Sequence, residues 1–135
     1  MKRIASAIVT PDGPDYAHRI ETGGFTLATD EPVASGGGNA GPAPYNLLLA
    51  SLGSCTAITL RMYAARKGWD IGRLTVSLTL EKDAEGNTSI ERTLDSDAPL
   101  TAEQWERLID IAGKTPVTKT LIAGTAITTR RAGAV

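Results

Sequence analysis

The stretch "PYNLLLASLGSCTAITLRMYAARKG", residues 44–68, decides how the rest of the chain must fold. Pro44 suits the first turn of a helix and Gly68 suits its C-terminal end, so the pattern predicts one long helix between them. Apolar side chains fall on every face of that helix, which is typical of a helix surrounded by protein. Because a chain of 135 residues can hardly cover every face, we expect a second copy of the chain to cover part of it.

The segment before this helix predicts three strands. "RIASAIVT" alternates loosely, and "YAHRIET" and "FTLATDEP" are separated by Gly-Gly, which is typical of a hairpin. A loop rich in glycine and proline, "VASGGGNAGPAP", then leads to the helix.

The segment after the helix predicts a second hairpin, a second helix and a last strand. "LTVSLTLEKD" and "TSIERTLDSD" predict two strands. "LTAEQWERLIDIAGK" predicts an amphipathic helix with a capping box and a buried stripe that includes Ile109. "TPVTKTL" is expected to be a short connection and "GTAITTRR" a final strand. The whole order predicts an α+β fold with antiparallel sheets.

Length and composition narrow the function classes. We expect a single domain over residues 1–135. The 14 basic and 15 acidic residues give a net charge of −1, which offers no basic surface for nucleic acid. With one cysteine and one histidine, we expect no metal site and no cofactor. The N-terminus lacks the apolar stretch of a secretory signal, and the apolar run 47–60 is too short to span a membrane. We therefore expect a cytoplasmic protein without a membrane partner.

Cys55 is the only cysteine, and it has two interpretations. A free cysteine inside a helix is usually a small apolar side chain and inert. A reactive thiolate needs a nearby positive charge, and on helical spacing none of the neighbours of Cys55 is basic. If Cys55 is reactive, its activation must come from another segment or from a second copy of the chain.

The helix sequence, together with "RKGW", "IERTL" and "AGKTPVTKTL", resembles the OsmC/Ohr family of stress-related proteins over most of the chain. The resemblance implies antiparallel sheets around a long buried central helix, in an intertwined homodimer. It also implies thiol peroxidase chemistry. In characterised members of the family, a cysteine in the central helix attacks an organic hydroperoxide. A second cysteine, followed by proline, then closes a disulfide that an external thiol reduces. A glutamate and an arginine hold the thiolate and the peroxide.

The family pattern is only partly present in this chain. Cys55 matches the peroxidatic cysteine, whereas Thr115 stands in place of the second cysteine and Asn46 in place of the glutamate. Arg19 is the first candidate for the catalytic arginine. We expect the substrate pocket to be lined by Asn46, Thr115, Leu52 and Asp30.

Two functions follow from the resemblance. The first is a one-cysteine, thiol-dependent reductase of organic hydroperoxides, which Cys55 favours. Its partners would be a small-molecule hydroperoxide and an external thiol. The second is a catalytically degenerate homologue that binds a small apolar ligand in a pocket at the dimer interface. Thr115 and Asn46 favour this alternative.

Overall fold

The computed structural model describes residues 1–133 and has an α+β fold, as predicted. Two compact units make up the chain, the first ending at Ala50 and the second beginning at Ser51; a single domain over 1–135 stays a prediction. The elements follow one another in this order: β1 (Ala7–Pro11), β2 (His18–Thr22), β3 (Phe25–Thr29), a 3₁₀ turn (Val33–Ser35), α1 (Pro44–Lys67), β4 (Thr75–Lys82), β5 (Thr88–Asp95), α2 (Ala102–Ala112) and α3 (Pro116–Ala123).

The first unit contains an antiparallel sheet in the order β1-β2-β3. The hairpin between β2 and β3 is the predicted one, with Thr22 opposite Phe25. Gly23 and Gly24 form its turn with φ angles of 59° and 82°. Two positive φ angles in succession match the twist of the flanking strands and require glycine-like residues, which explains the Gly-Gly sequence.

The second unit is built on the greater part of α1. Leu52, Thr56, Leu60 and Ala64 recur every four residues and form its buried stripe. Leu60 and Ala64 belong to a core cluster that also contains Ile71, Leu108 and Ala112. Ile58 and Met62, which lie off that stripe, remain 53% and 55% exposed. A single chain therefore covers one side of the apolar helix and leaves apolar side chains uncovered.

The length of α1 corrects one sequence expectation. The helix runs for 24 residues, and by length and composition alone it is long and apolar enough to cross a membrane. The length of the apolar run 47–60 therefore underestimates the length of helix that could cross a membrane. The core helix of a soluble protein meets the same criterion, and Leu60 and Ala64 of the buried stripe belong to the core cluster of the second unit.

The antiparallel hairpin of β4 and β5 packs one face inward. Residues at alternate positions are partly buried: Val76, Leu78 and Leu80 on β4, and Ile90, Arg92 and Leu94 on β5. A Cβ atom on Gly53 of α1 would lie 2.8 Å from Cδ1 of Leu78. Glycine at this position therefore lets the hairpin approach the helix closely. Leu78 is the cross-strand partner of Arg92, so the same approach carries Arg92 toward α1.

Three predictions in the C-terminal third are wrong. "TPVTKTL" is a helix rather than a connection, because Thr115 occupies the N-cap and Pro116 the first turn, where proline is tolerated. Residues 124–131 form no strand and are exposed, since alternation alone cannot make a strand without a sheet edge to pair with. Ile109 is 61% exposed, because the buried stripe of α2 runs through Leu108 and Ala112.

Candidate active site around Cys55

Cys55 lies in α1 as a free, half-buried cysteine. Its charged neighbour is Arg92 of β5, and a negative charge on Cys55 would raise the pKa of that guanidinium. Thr56, the next residue of the helix, places this interaction in space, since its side chain is hydrogen-bonded to the same guanidinium. The site thus combines a nucleophile from the central helix with a cation from the second hairpin.

Three neutral oxygens hold the Arg92 guanidinium. Nη1 donates to Oγ1 of Thr56 and to Oγ1 of Thr118, both at 2.9 Å. Nη2 donates to the carbonyl oxygen of Ala112 at 2.8 Å. These acceptors come from α1, α3 and the end of α2, so three helices fix one side chain. Such a guanidinium is held in one orientation beside Cys55.

Arg92 has no carboxylate partner among residues 1–133, where the ion pairs involve other arginines and a lysine. Partial burial lowers the pKa of Arg92 from its ordinary value, and the charge of a Cys55 thiolate opposes that effect. An arginine keeps its proton in proteins in spite of such shifts. The site therefore carries an uncompensated positive charge, for which a thiolate is the natural counter-charge.

Thr115 is fully buried at the N-cap of α3. Its Oγ1 lies 2.6 Å from Oγ1 of Thr118, and Thr118 accepts from Arg92. Three successive hydrogen bonds thus join the Thr115 side chain to that of Thr56, the neighbour of Cys55. The structure brings Thr115 into the Arg92 network, although the two ends are far apart in sequence.

Leu52 is the other predicted pocket residue in the second unit. It is 5% exposed and belongs to the buried stripe of α1. Its carbonyl oxygen accepts a hydrogen bond from Oγ1 of Thr56 at 2.7 Å. The side chain packs as a core residue, and its place in a substrate pocket stays a prediction.

The remaining predicted site residues belong to the first unit. Arg19 is exposed on β2 and pairs with Glu21 at 3.3 Å. Asn46 is exposed in the first turn of α1. The roles of these two residues at Cys55 stay predictions.

Asp30 organises the loop that follows β3. Its buried carboxylate accepts the backbone N–H groups of Glu31, Gly38 and Ala40. These bonds, that of Ala40 foremost, hold the pKa of Asp30 below its usual range despite the opposing effect of burial. Asp30 also lines a cavity of about 570 Å³ in the first unit with Tyr16 and His18. In the structure, the hydrogen bonds of Asp30 stabilise the conformation of the loop 31–40.

Arg92 is the site residue that sequence reasoning did not name. Its signal lies in "SIERTL", where Ile90, Arg92 and Leu94 share one face of the strand. An arginine between two inward apolar residues needs acceptors inside the protein. Among the described residues no group of three or more His, Cys, Asp or Glu side chains could hold a metal ion.

Comparisons with protein families and with solved structures agree with each other. The family model described as OsmC-like protein matches residues 36–130. Three solved structures are similar in fold. An OsmC-like protein from Mycoplasma pneumoniae is 20% identical, with a TM-score of 0.76 over 90% of this chain and 89% of that chain. The organic hydroperoxide resistance protein OsmC from Legionella pneumophila is 16% identical, with a TM-score of 0.68 over 88% and 89%. The organic hydroperoxide resistance protein OhrB of Bacillus subtilis is 22% identical, with a TM-score of 0.60 over 87% and 90%. No curated protein matches the sequence.

Proposed function

The chain belongs to the OsmC-like protein family, and from that premise we propose that it is a one-cysteine, thiol-dependent reductase of organic hydroperoxides. Two of the structures that share its fold are organic hydroperoxide resistance proteins. The observation that carries the proposal is Arg92, a cation without a carboxylate partner among the described residues, whose guanidinium is hydrogen-bonded to Thr56, the residue next to Cys55.

In the first step the Cys55 thiolate attacks the terminal oxygen of the hydroperoxide. An S–O bond forms and the O–O bond breaks, which leaves a sulfenic acid on Cys55 and an alkoxide that takes a proton to become the alcohol. Negative charge moves from sulfur to the departing oxygen. A fixed guanidinium stabilises charge at both places without rearranging, and Arg92 is held for that role by three hydrogen bonds.

In the second step an external thiol removes the oxygen from Cys55. Thr115 stands where the family places its second cysteine, and a threonine hydroxyl cannot form a disulfide. The thiol therefore attacks the sulfenic acid directly, giving a mixed disulfide and water, and a second thiol then releases Cys55 as a thiolate. Until the first thiol arrives, the sulfenic acid is open to further oxidation.

A homodimer belongs to the same proposal. Ile58 and Met62 lie on an exposed part of α1, and a second copy would cover apolar surface that one chain leaves open. We place the protein in the cytoplasm, where thiols are kept reduced and an external thiol is available to Cys55.

A second candidate function rests on a different observation. An open cavity of about 430 Å³ lies beside α1, lined mostly by apolar side chains: Ala57, Ile58, Arg61, Met62 and Leu74. Cavities of this size hold small ligands. If the catalytic chemistry has been lost together with the second cysteine, this cavity would serve a protein that binds a small apolar ligand.

Hydroperoxide consumption tests the first function against the second. The purified protein is incubated with cumene hydroperoxide and a dithiol, and loss of hydroperoxide is followed for wild type and for Cys55→Ser. The proposal predicts turnover that the substitution abolishes. Equal slow consumption by both proteins, together with an apolar ligand retained in native mass spectrometry, would instead support the binding function.

A further inference from the structure

One edge of the Arg92 guanidinium remains without a partner in the described part of the chain. Arginine has five N–H donors, and the two on Nη1 and one on Nη2 are used. Thr118 also donates to the Ala112 carbonyl at 3.2 Å. The Thr118 hydroxyl and the Ala112 carbonyl, which both accept from Arg92, therefore lie together along the edge between Nη1 and Nη2. The unused donors are therefore Nε–H and the outer N–H of Nη2, which point in the same direction.

Two parallel N–H groups of one guanidinium match the two oxygens of a carboxylate. Binding there would need little ordering of the protein, because the other edge of Arg92 is already fixed. Thr56, Thr118 and Ala112, which hold the other edge, are buried. Arg92, by contrast, is only partly buried, and we place the exposed part of its side chain at the free edge. The free edge therefore selects a small molecule that carries a carboxylate.

The position of Thr115 indicates that the thiol, rather than the hydroperoxide, carries this carboxylate. This residue stands where the family's second cysteine would attack oxidised Cys55, and Thr118 connects its hydroxyl to Arg92. Thr115 and Thr118 are buried, so an external thiol cannot enter at the position of Thr115 and must reach Cys55 from the partly exposed side of Arg92. A carboxylate on that thiol would meet the free edge.

We propose that the reductant of oxidised Cys55 is a small monothiol that carries a carboxylate, and that Arg92 binds this carboxylate during the attack. The inference rests on the proposed reductase function. The thiolate sulfur forms an S–S bond with Cys55 while the S–O bond breaks, and the hydroxide that leaves takes the thiol proton to become water. A second molecule of the same thiol attacks the mixed disulfide, which releases the Cys55 thiolate and a symmetrical disulfide.

The test compares thiols of similar size and different charge. Cys55 is first converted to the sulfenic acid with one equivalent of cumene hydroperoxide. The rate of mixed disulfide formation is then measured by intact mass with 3-mercaptopropionate, which is anionic, and 2-mercaptoethanol, which is neutral. The readout is the ratio of the two rates within each protein, so that a variant that merely lowers all reactivity leaves the ratio unchanged.

Arg92→Met should lower this ratio about fivefold to tenfold relative to wild type, the scale of a partly exposed charge-assisted contact. Arg92→Lys keeps the charge without the paired donors, so its ratio should lie between those of wild type and Arg92→Met. It replaces the methionine variant in the test if that variant does not fold. Arg66→Met is the matched control, because Arg66 is exposed on the same helix about 16 Å along the axis from Cys55. Its ratio should equal that of wild type. Equal ratios in all four proteins would overturn the inference.

A second measurement separates this inference from the proposed function. Reduced Cys55 is mixed with 3,3′-dithiodipropionate or with bis(2-hydroxyethyl) disulfide, which produces the same mixed disulfides without any peroxide. If Cys55 gives no sulfenic acid, the reductase function fails. Carboxylate binding by Arg92 is still tested, because it predicts that Cys55 reacts faster with the anionic disulfide than with the neutral one. Loss of that preference in Arg92→Met would support carboxylate binding, and an unchanged preference would exclude it.

Discussion

Thr56→Val tests whether the Arg92 network is built as described, because it removes one hydroxyl and leaves the guanidinium in place. Thr56 is completely buried. Its Oγ1 accepts from Nη1 of Arg92 at 2.9 Å and donates to the Leu52 carbonyl at 2.7 Å. Valine has nearly the same shape, so the substitution removes hydrogen bonds and opens no cavity.

The expected cost comes mainly from the bond to Arg92. A hydrogen bond to a charged group contributes about 1.5–3 kcal/mol. Arg92 is only partly buried, and water can replace part of the lost interaction, so we expect the lower end of that range. Leu52 loses little, because its carbonyl also lies within the helix ladder. We therefore expect Thr56→Val to lower the free energy of unfolding by about 1.5 kcal/mol.

Urea unfolding at fixed protein concentration measures the effect, since the stability of an oligomer depends on concentration. The midpoint should fall by about 0.5–1.5 M for a slope of about 1–3 kcal/mol/M. Thr93→Val is the matched control, because Thr93 is the neighbour of Arg92 on β5 and faces outward. It should stay within about 0.5 kcal/mol of wild type. Equal midpoints for both variants would refute the claim that Thr56 supports Arg92.

Three further predictions concern other parts of the chain. Thr115→Cys should form an intramolecular disulfide with Cys55 after treatment with an organic hydroperoxide; no loss of two hydrogens in the intact mass would count against it. Wild type should sediment as a dimer and Ile58→Asp toward monomer, and a stable wild-type monomer at micromolar concentration would contradict the proposed interface. The depressed pKa of Asp30 contributes stability above its unfolded-state pKa, and this contribution is lost as pH falls through the folded-state pKa. Asp30→Asn should therefore destabilise the protein at pH 7 and less at about pH 3, which lies below the unfolded-state pKa, and a gap unchanged between these pH values would disprove it.

The central helix was the most predictable part of the fold. Pro44 and Gly68 bounded it, and both bounds are confirmed. The two hairpins were predictable for the same reason, since their turn residues and alternation are local signals. The strand predicted over residues 124–131 depended on a partner edge elsewhere, which no local pattern contains. The helix that begins at Pro116 was missed because proline was taken as the sign of a connection, whereas it also suits a first turn.

The candidate site was predictable only in its nucleophile. Cys55 could be named from its helix and from the family resemblance. Arg92 could not be placed beside it, because that requires the pairing of Leu78 with Arg92 and the close approach of Leu78 to Gly53. Both are tertiary facts. An arginine on an otherwise inward apolar face of a strand was the one local sign that a charged group is used inside this unit.

The most direct test of the central claim is the rate at which Cys55 gains one oxygen from a stoichiometric amount of cumene hydroperoxide, followed by intact mass with trapping of the sulfenic acid. Wild type and Arg66→Met should react alike. Arg92→Met should react at least about tenfold more slowly, which corresponds to the loss of about 1.4 kcal/mol of charge stabilisation. Equal rates in wild type and Arg92→Met, or no gain of oxygen while a small alkylating agent still modifies Cys55, would contradict the claim that Arg92 activates this cysteine toward hydroperoxides.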